Sequence, residues 1–227
     1  MFHGAAINVD VDSLHHYYRI HGLDESGATN AVWEKGVTRF AELFAELGVH
    51  ATFFVVTEDL ERWPRARAIA EELVKAGHEL GSHSVTHPYD LVRQHDKAVG
   101  DELGRSRAVL SEVRGSPCVG FRAPGYTMTP RVLAKVRETG YRYDSSIFPC
   151  PPYYLAKLAR LGAMLVRGKR SRSIVGPPSV MWEERLPHRR DGLVEIPVTV
   201  LPTFPTARFP IIGTSLLMMR ERGYAVV

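Results

Sequence analysis

The sequence predicts an α/β fold built as one domain of parallel βα units. Strand-like apolar runs alternate with helical patterns along most of the chain, the order that produces a parallel sheet covered by helices. The 227 residues suit a single βα barrel, since such barrels use about 200–250 residues as one unit. The residues able to do chemistry also fall at or just past the C-terminal ends of predicted strands, the rim on which βα barrels build their sites.

The elements follow in order. The residues up to Val11 form a first buried strand. From Ala31 to Leu47, apolar side chains at Val32, Trp33, Val37, Phe40, Phe44 and Leu47 recur at helical spacing, and Gly48 stops the helix. ATFFVV (51–56) is short, β-branched and aromatic, hence a second strand. Pro64 suits the first turn of a helix that runs to Gly77, and His78 to Gly81 form a third strand. Residues 90–113 read as a helix broken by Gly115, Ser116 and Pro117, before CVGFR (118–122) as a fourth strand. Thr129-Pro130 opens a helix ending at Gly140, and YRYD (141–144) is a fifth strand. LVEIPVTV (193–200) is another strand, with Pro197 at an edge or bulge. Thr214 to Arg222 read as a last helix and Tyr224 to Val227 as the beginning of a strand.

An insertion at about 145–192 interrupts the alternation. Within it Tyr154, Leu155, Leu158, Leu161 and Leu165 fall on one helical face, with Lys157, Arg160 and Arg167 clustered on another. Such a helix either packs on the barrel with a solvated basic side or touches a membrane surface or an acidic substrate. The chain carries a formal +4, but residues 153–182 hold six basic side chains and no acid, so the basicity is local. A patch of this kind attracts phosphate groups. Nucleic acid is disfavoured, because no interleaved stacking aromatics accompany the patch.

Other classes are set aside by composition. A chain 44% hydrophobic and 24% charged is ordinary globular material. No apolar run approaches the roughly 18 residues of a spanning helix. Two cysteines, Cys118 and Cys150, make no disulfide scaffold or zinc site and read as small buried residues. The opening MFHGAAINVDVD lacks the pattern of a signal peptide, so the expected location is cytoplasmic, with a peripheral membrane contact through 153–172.

Three segments carry the chemistry. Asp10 and Asp12 are two apart on a strand, so both carboxylates face one side. Like charges so placed call for a nearby cation; the plainer reading is a pair of capping aspartates. His83 and His87, at i and i+4 within a helical turn, can present ring nitrogens to one metal. Two imidazoles and a carboxylate leave positions open for water and substrate. In Phe121-Arg122-Ala123-Pro124-Gly125-Tyr126, an arginine at a strand end precedes a stiff turn that can aim backbone N–H groups inward. Asp144 is a weaker fourth member. His15, His16 and His21 cluster in a loop after the first strand, with no spacing that demands a metal, and His188 lies in a polar loop.

These motifs, in this order over residues 5–148, resemble the polysaccharide deacetylase family, also called the NodB-homology or carbohydrate esterase family 4. The one-residue gap between Asp10 and Asp12 is similar to the branch whose first motif reads D-x-[DE]. The resemblance implies a distorted (β/α)7 TIM-like barrel, incomplete here at its C-terminal strand. It implies Asp12, His83 and His87 as ligands of a divalent metal, zinc first, with cobalt, nickel or manganese as alternatives. Asp10 becomes the general base, Arg122 its partner, and the Tyr126 backbone N–H an oxyanion donor in the Pro124 turn. The implied reaction is hydrolysis of an N-acyl group on an amino sugar.

The family's fifth motif, usually L-x-H, supplies a histidine that protonates the leaving amine. No such motif follows Gly223, so Asp144, which orients that histidine in the family, is expected to lack a partner, and a longer natural chain is the favoured explanation. The basic insertion and the aromatics Tyr153, Tyr154 and Trp182 favour a lipid-linked or nucleotide-linked saccharide as substrate. Two other readings stand beside this one: a hydrolase of other non-peptide C–N bonds in small molecules, and a metal-binding, glycan-binding pseudo-enzyme without its general acid.

Overall fold

The computed structural model describes residues 6–168, 171–202 and 208–210. Its centre is a seven-stranded sheet in the order β1-β2-β3-β4-β5-β7-β6. The strands are β1 (Ile7–Val11), β2 (Ala51–Val55), β3 (Glu79–Ser82), β4 (Gly120–Phe121), β5 (Tyr143–Asp144), β6 (His188–Arg190) and β7 (Leu193–Glu195). From β1 to β5 and on to β7 every pairing is parallel; β6 lies antiparallel on the outside of β7. Among the described residues β1 has one sheet neighbour, so the barrel-like sheet is open between β1 and β6. A separate hairpin joins β8 (Val200–Pro202) and β9 (Arg208–Pro210). The helix and strand expected at 214–222 and 224–227 lie outside the described residues.

The α/β expectation holds and the register explains where side chains go. Phe53, Phe54 and Val55 are all fully buried, as befits a strand covered on both faces. β1 and β2 run in step, Asp10 opposite Phe54 and Val11 opposite Val55. Phe53, Val55, Leu80, Leu103, Phe121 and Leu133 belong to one continuous core between sheet and helices.

The helices are α1 (Leu14–Ile20), α2 (Thr38–Leu47), α3 (Glu58–Arg62), α4 (Pro64–Lys75), α5 (Asp96–Arg114), α6 (Pro130–Glu138) and α7 (Pro151–Val166). The predicted helix from Ala31 is present, but Val32–Val37 form a wide π-helical turn before α2. That turn seats Trp33 at zero exposure, with its indole N–H donating to Asp59 at 2.9 Å. The helix predicted over 90–113 begins later, because Leu91–Arg93 form a separate 3-10 turn. α5 is capped by the His95 side chain, which accepts from the Ala98 N–H, and is ended by Gly115 at φ +64°. Such left-handed closure costs glycine nothing.

Two strands shrink from their predicted length. CVGFR pairs only through Gly120–Phe121 and YRYD only through Tyr143–Asp144. The stretch from 193 divides into β7 and β8, and Pro197, which has no N–H to donate, sits in the break. His188, expected in a loop, stands on β6 at the edge of the sheet.

The insertion contains α7, and its packing differs from the expected stripe. Tyr154 and Met164 are buried, whereas Leu155, Leu158 and Leu165 are 62%, 58% and 73% exposed. The packed face runs through Pro151, Tyr154, Lys157, Leu161 and Met164, one step around the helix from the leucine row. Lys157, expected on the solvated basic side, is therefore turned inward. Tyr154 is core, while Trp182 is exposed.

Candidate active site

The sheet brings Asp10, Asp12, His83 and Tyr126 to one cleft of about 470 Å³, lined also by the tyrosines Tyr17, Tyr89 and Tyr153. Asp10 and Asp12 stand at the end of β1, two residues apart as predicted. His83 follows β3 directly.

The two histidines do not converge by sharing a helical turn. Residues 83–87 form a loop, with Ser84 at φ +69° and His87 at φ +56°. A non-glycine residue at positive φ is uncommon and signals an imposed geometry. The Ser84 side chain accepts from the His87 N–H at 3.1 Å, and Glu102 holds the loop from α5 by accepting from the N–H groups of Val85 and Thr86. The outcome is convergence: His83 Nε2 and His87 Nε2 lie 3.5 and 3.4 Å from the same oxygen, Asp12 Oδ1.

The donor set fits a divalent metal. His83 Nδ1 donates to the Arg122 carbonyl at 2.7 Å, which leaves Nε2 with its lone pair facing Asp12, the orientation second-shell partners impose on metal-binding histidines. Asp12 Oδ1 and both His87 ring nitrogens are buried without a hydrogen-bond partner. Asp12 Oδ2 accepts from the Tyr17 hydroxyl at 2.9 Å. Burial alone would raise the Asp12 pKa, but the His87 and His83 imidazoles outweigh it and hold the carboxyl below its ordinary range. Burial likewise pushes the His83 imidazole down, against the pull of Asp12, and favours its neutral form.

Asp10 sits beside this group and is held from two sides. Arg122 Nη1 donates to its Oδ1 at 2.7 Å and the Tyr126 hydroxyl to its Oδ2 at 2.7 Å. The guanidinium is 1% exposed and is itself fixed: Nε donates to the Ser145 carbonyl, Nη2 to the Ser145 hydroxyl, and its plane lies 4.2 Å over the Phe54 ring. Burial disfavours the Arg122 charge, yet Asp10 and the neighbouring tyrosines raise the pKa, so the guanidinium stays charged.

The Pro124–Tyr126 turn corrects one expectation. The Tyr126 N–H donates to the Ala123 carbonyl at 3.1 Å, so it closes the turn and is not free to meet an oxyanion. The positive φ of Tyr126, +57°, instead sends the side chain to Asp10. Pro124 is buried beneath the turn and shapes it. Burial first, and then the Asp10 charge, push the phenol pKa well above 10, so Tyr126 remains a donor at neutral pH.

Asp144 is placed apart from the cleft and does have partners. It is fully buried, accepts from the Ser146 hydroxyl at 2.5 Å, and is linked to Glu195, also fully buried. Glu195 accepts from the Ile147 N–H at 3.1 Å. Burial raises both carboxyl pKa values, and repulsion from Asp144 adds to the rise at Glu195, which is pushed up to about 10. The pair is an acid–carboxylate unit bracing the β5–β7 seam.

Sequence reading also missed Lys157. Its Nζ donates to the Gly125 carbonyl at 3.3 Å and stands 5.3 and 5.7 Å from the ring centres of Tyr89 and Tyr153. The signal available was Lys157 at i+3 from Tyr154, on the packed side of α7.

A family model described as polysaccharide deacetylase matches residues 28–143, about half of the chain. The chain belongs to the polysaccharide deacetylase family. His83, His87 and Arg122 lie inside the matched region. A peptidoglycan deacetylase of Helicobacter pylori is 24% identical over 156 residues, covering 66% of this chain and 52% of that protein. A chitooligosaccharide deacetylase of a Bradyrhizobium strain is 37% identical over 93 residues, 40% of this chain and 41% of the relative. The chain thus spans about half the length, or less, of these relatives. A Mycobacterium smegmatis protein assigned as a polysaccharide deacetylase shares the fold, with a TM-score of 0.64 at 23% identity over 98% of this chain and 74% of that one. The polysaccharide deacetylase fold accounts for the parallel strand order.

Proposed function

We propose that this polysaccharide deacetylase is a metal-dependent hydrolase that removes an N-acyl group from an amino sugar. The observation that carries the reading is the meeting of Asp12, His83 and His87 on one point beside an Asp10 clamped by Arg122 and Tyr126. Asp12, His83 and His87 would hold the ion, zinc being the first choice for two imidazoles and a carboxylate. Bound there, a divalent ion would supply Lewis acidity toward the acyl carbonyl and toward the attacking water.

The protein's own groups do the rest. Asp10 is the base, kept in one rotamer by its two donors, so the oxygen that takes the proton is already oriented. Arg122 keeps that carboxylate paired. Tyr126, protonated throughout the neutral range, keeps its hydroxyl hydrogen on Asp10 Oδ2 and so shares in orienting the base. The ring walls of Tyr89 and Tyr153 suit a sugar face.

The test is acetate release from N-acetylglucosamine oligomers by the zinc-loaded protein, with Asp10→Asn and Asp12→Ala alongside. Release by the wild type and background rates in both variants are expected. Opening of a cyclic imide or ureide with no acetate release would move the reading to small-molecule C–N hydrolysis. Full metal occupancy with turnover of neither would leave a glycan-binding pseudo-enzyme.

The substrate's setting follows from α7. Its inner side reaches the cleft through Lys157, while Leu155, Leu158, Leu165 and Val166 are exposed on its outer side with Arg160 and Arg167 beside them. An apolar row bordered by arginines fits an anionic lipid surface, which makes a lipid-linked amino sugar the favoured substrate. No helix among the described residues is long and apolar enough to cross a membrane. Sedimentation with anionic vesicles at low salt checks this, and failure to be retained would remove the membrane from the reading.

A further inference from the structure

Three residues beyond Asp12, α1 carries His15 and His16 into the interior, both essentially unexposed. Asp59, at zero exposure, faces them. It accepts from the Ser13 hydroxyl at 2.6 Å, from the Trp33 indole at 2.9 Å and from His16 Nε2 at 2.9 Å. Pairing Nε2 with Asp59 leaves Nδ1 as the free nitrogen of the His16 ring. That nitrogen has no hydrogen-bond partner and faces Glu58 Oε2, itself an acceptor, at 3.7 Å. Neither ring nitrogen of His15 has a hydrogen-bond partner; its Nε2 lies 3.6 Å from Asp59 Oδ1 and 3.8 Å from the same Glu58 oxygen.

Polar atoms that converge in the interior without a hydrogen-bond partner are costly, on the order of 1–3 kcal/mol for each orphaned group. A cation removes that cost. The geometry points to a second divalent-cation site formed by His15, His16 and Glu58, separate from Asp12, His83 and His87. One ligand atom from each of the three lies within 4.8 Å of the others. Two ligands on one tetrahedral zinc at about 2.0–2.1 Å stand roughly 3.4 Å apart; the two separations from Glu58 Oε2, 3.7 and 3.8 Å, are within a few tenths of an ångström of that, and the third pair lies within 4.8 Å.

The surroundings have the form of a built metal site. Asp59 on the far nitrogen of His16 repeats the carboxylate–histidine pairing that orients metal ligands. Arg19 donates to both Glu58 oxygens, at 2.8 and 3.2 Å, which fixes the carboxylate while leaving Oε2 a lone pair for the ion. Its positive charge makes this the weaker of the two sites. Imidazole with carboxylate selects zinc, nickel or copper over magnesium or calcium. The His16 and His87 ring centres are 5.7 Å apart, so the two ions would be neighbours.

The experiment is zinc titration of the chelator-stripped protein, followed by metal analysis after removal of excess ion, with circular dichroism on each variant to confirm folding. Two ions per chain are expected for the wild type, one each for Asp12→Ala and His15→Gln, and none for the double variant. Cobalt substitution gives a second readout: the visible bands that persist in Asp12→Ala should vanish when His15→Gln is added. One ion in the saturated wild type that is lost from Asp12→Ala, or two retained by a folded His15→Gln, overturns the second site. If Asp12→Ala keeps the full wild-type content while His15→Gln loses one ion, the first site fails and the second stands.

Discussion

The Tyr126 hydroxyl donates to Oδ2 of Asp10 at 2.7 Å, across 116 residues of sequence. Arg122 takes the other oxygen, so the proposed base is held by one charged and one neutral donor. Tyr126→Phe removes the neutral donor while keeping the ring against Phe148 and Tyr153. A hydrogen bond to a charged group is worth about 1.5–3 kcal/mol, so kcat for deacetylation should fall about ten- to a hundredfold. KM should stay near the wild-type value. Unchanged steady-state constants would show that Asp10 is positioned by Arg122 alone.

Arg122 is a different case, because its removal leaves charge and hydrogen-bond acceptors stranded inside. Arg122→Met deprives Asp10 of its ion pair and Ser145 of donors to both its carbonyl and hydroxyl. Breaking a buried pair from one side costs about 3–5 kcal/mol. Denaturant unfolding should show a loss of that order, together with loss of activity. A near-native midpoint would mean that Asp10 finds another partner.

These residues differ in how far the sequence reveals them. Asp10, Asp12, His83, His87 and Arg122 could be read because each is a chemically distinctive side chain at a strand end, and parallel strands place their C-terminal ends together. The local conformation at His87 could not be read: the histidine pair looks helical by spacing, whereas a positive-φ loop held by Ser84 and Glu102 makes it converge. The same holds at Tyr126, where the φ of one residue decides whether backbone or side chain faces the cleft. Glu195 carried a visible signal, an acid inside the apolar run LVEIPV, but its partner Asp144 is distant in sequence. The inward turn of Lys157 depends on which of two adjacent faces of α7 finds the barrel, a tertiary choice that periodicity leaves open.

The Asp144–Glu195 pair gives a pH prediction with a definite sign. The Glu195 pKa is raised in the folded protein to about 10, against an ordinary 4.5. Between those values the native state binds more protons than the unfolded chain, so stability falls as pH rises through the window. Glu195→Gln keeps an amide donor for Asp144 and cannot ionise. Its melting temperature relative to wild type should climb from pH 5 to pH 9. A constant difference across that range would mean that Glu195 does not carry the proton.

Lys157 has the opposite sign and connects stability with function. Burial pulls its pKa down from 10.5 to about 8, so at pH 7 the protein holds a partly buried cation whose noted contacts are the Gly125 carbonyl and the faces of Tyr89 and Tyr153. The unfolded chain binds more protons between those two values, and the wild type therefore gains stability from this group as pH rises from 8 to 10.5. Lys157→Met, of similar length and uncharged, should melt above wild type at pH 7 and lose that advantage as pH approaches 10.5. The same variant should deacetylate more slowly if the ammonium meets the substrate at the cleft edge, since residues kept at a cost to stability are commonly kept for function. A variant that is more stable at pH 7 and equally active would reduce Lys157 to a packing element of α7; one that is less stable at pH 7 would contradict the buried-cation account itself.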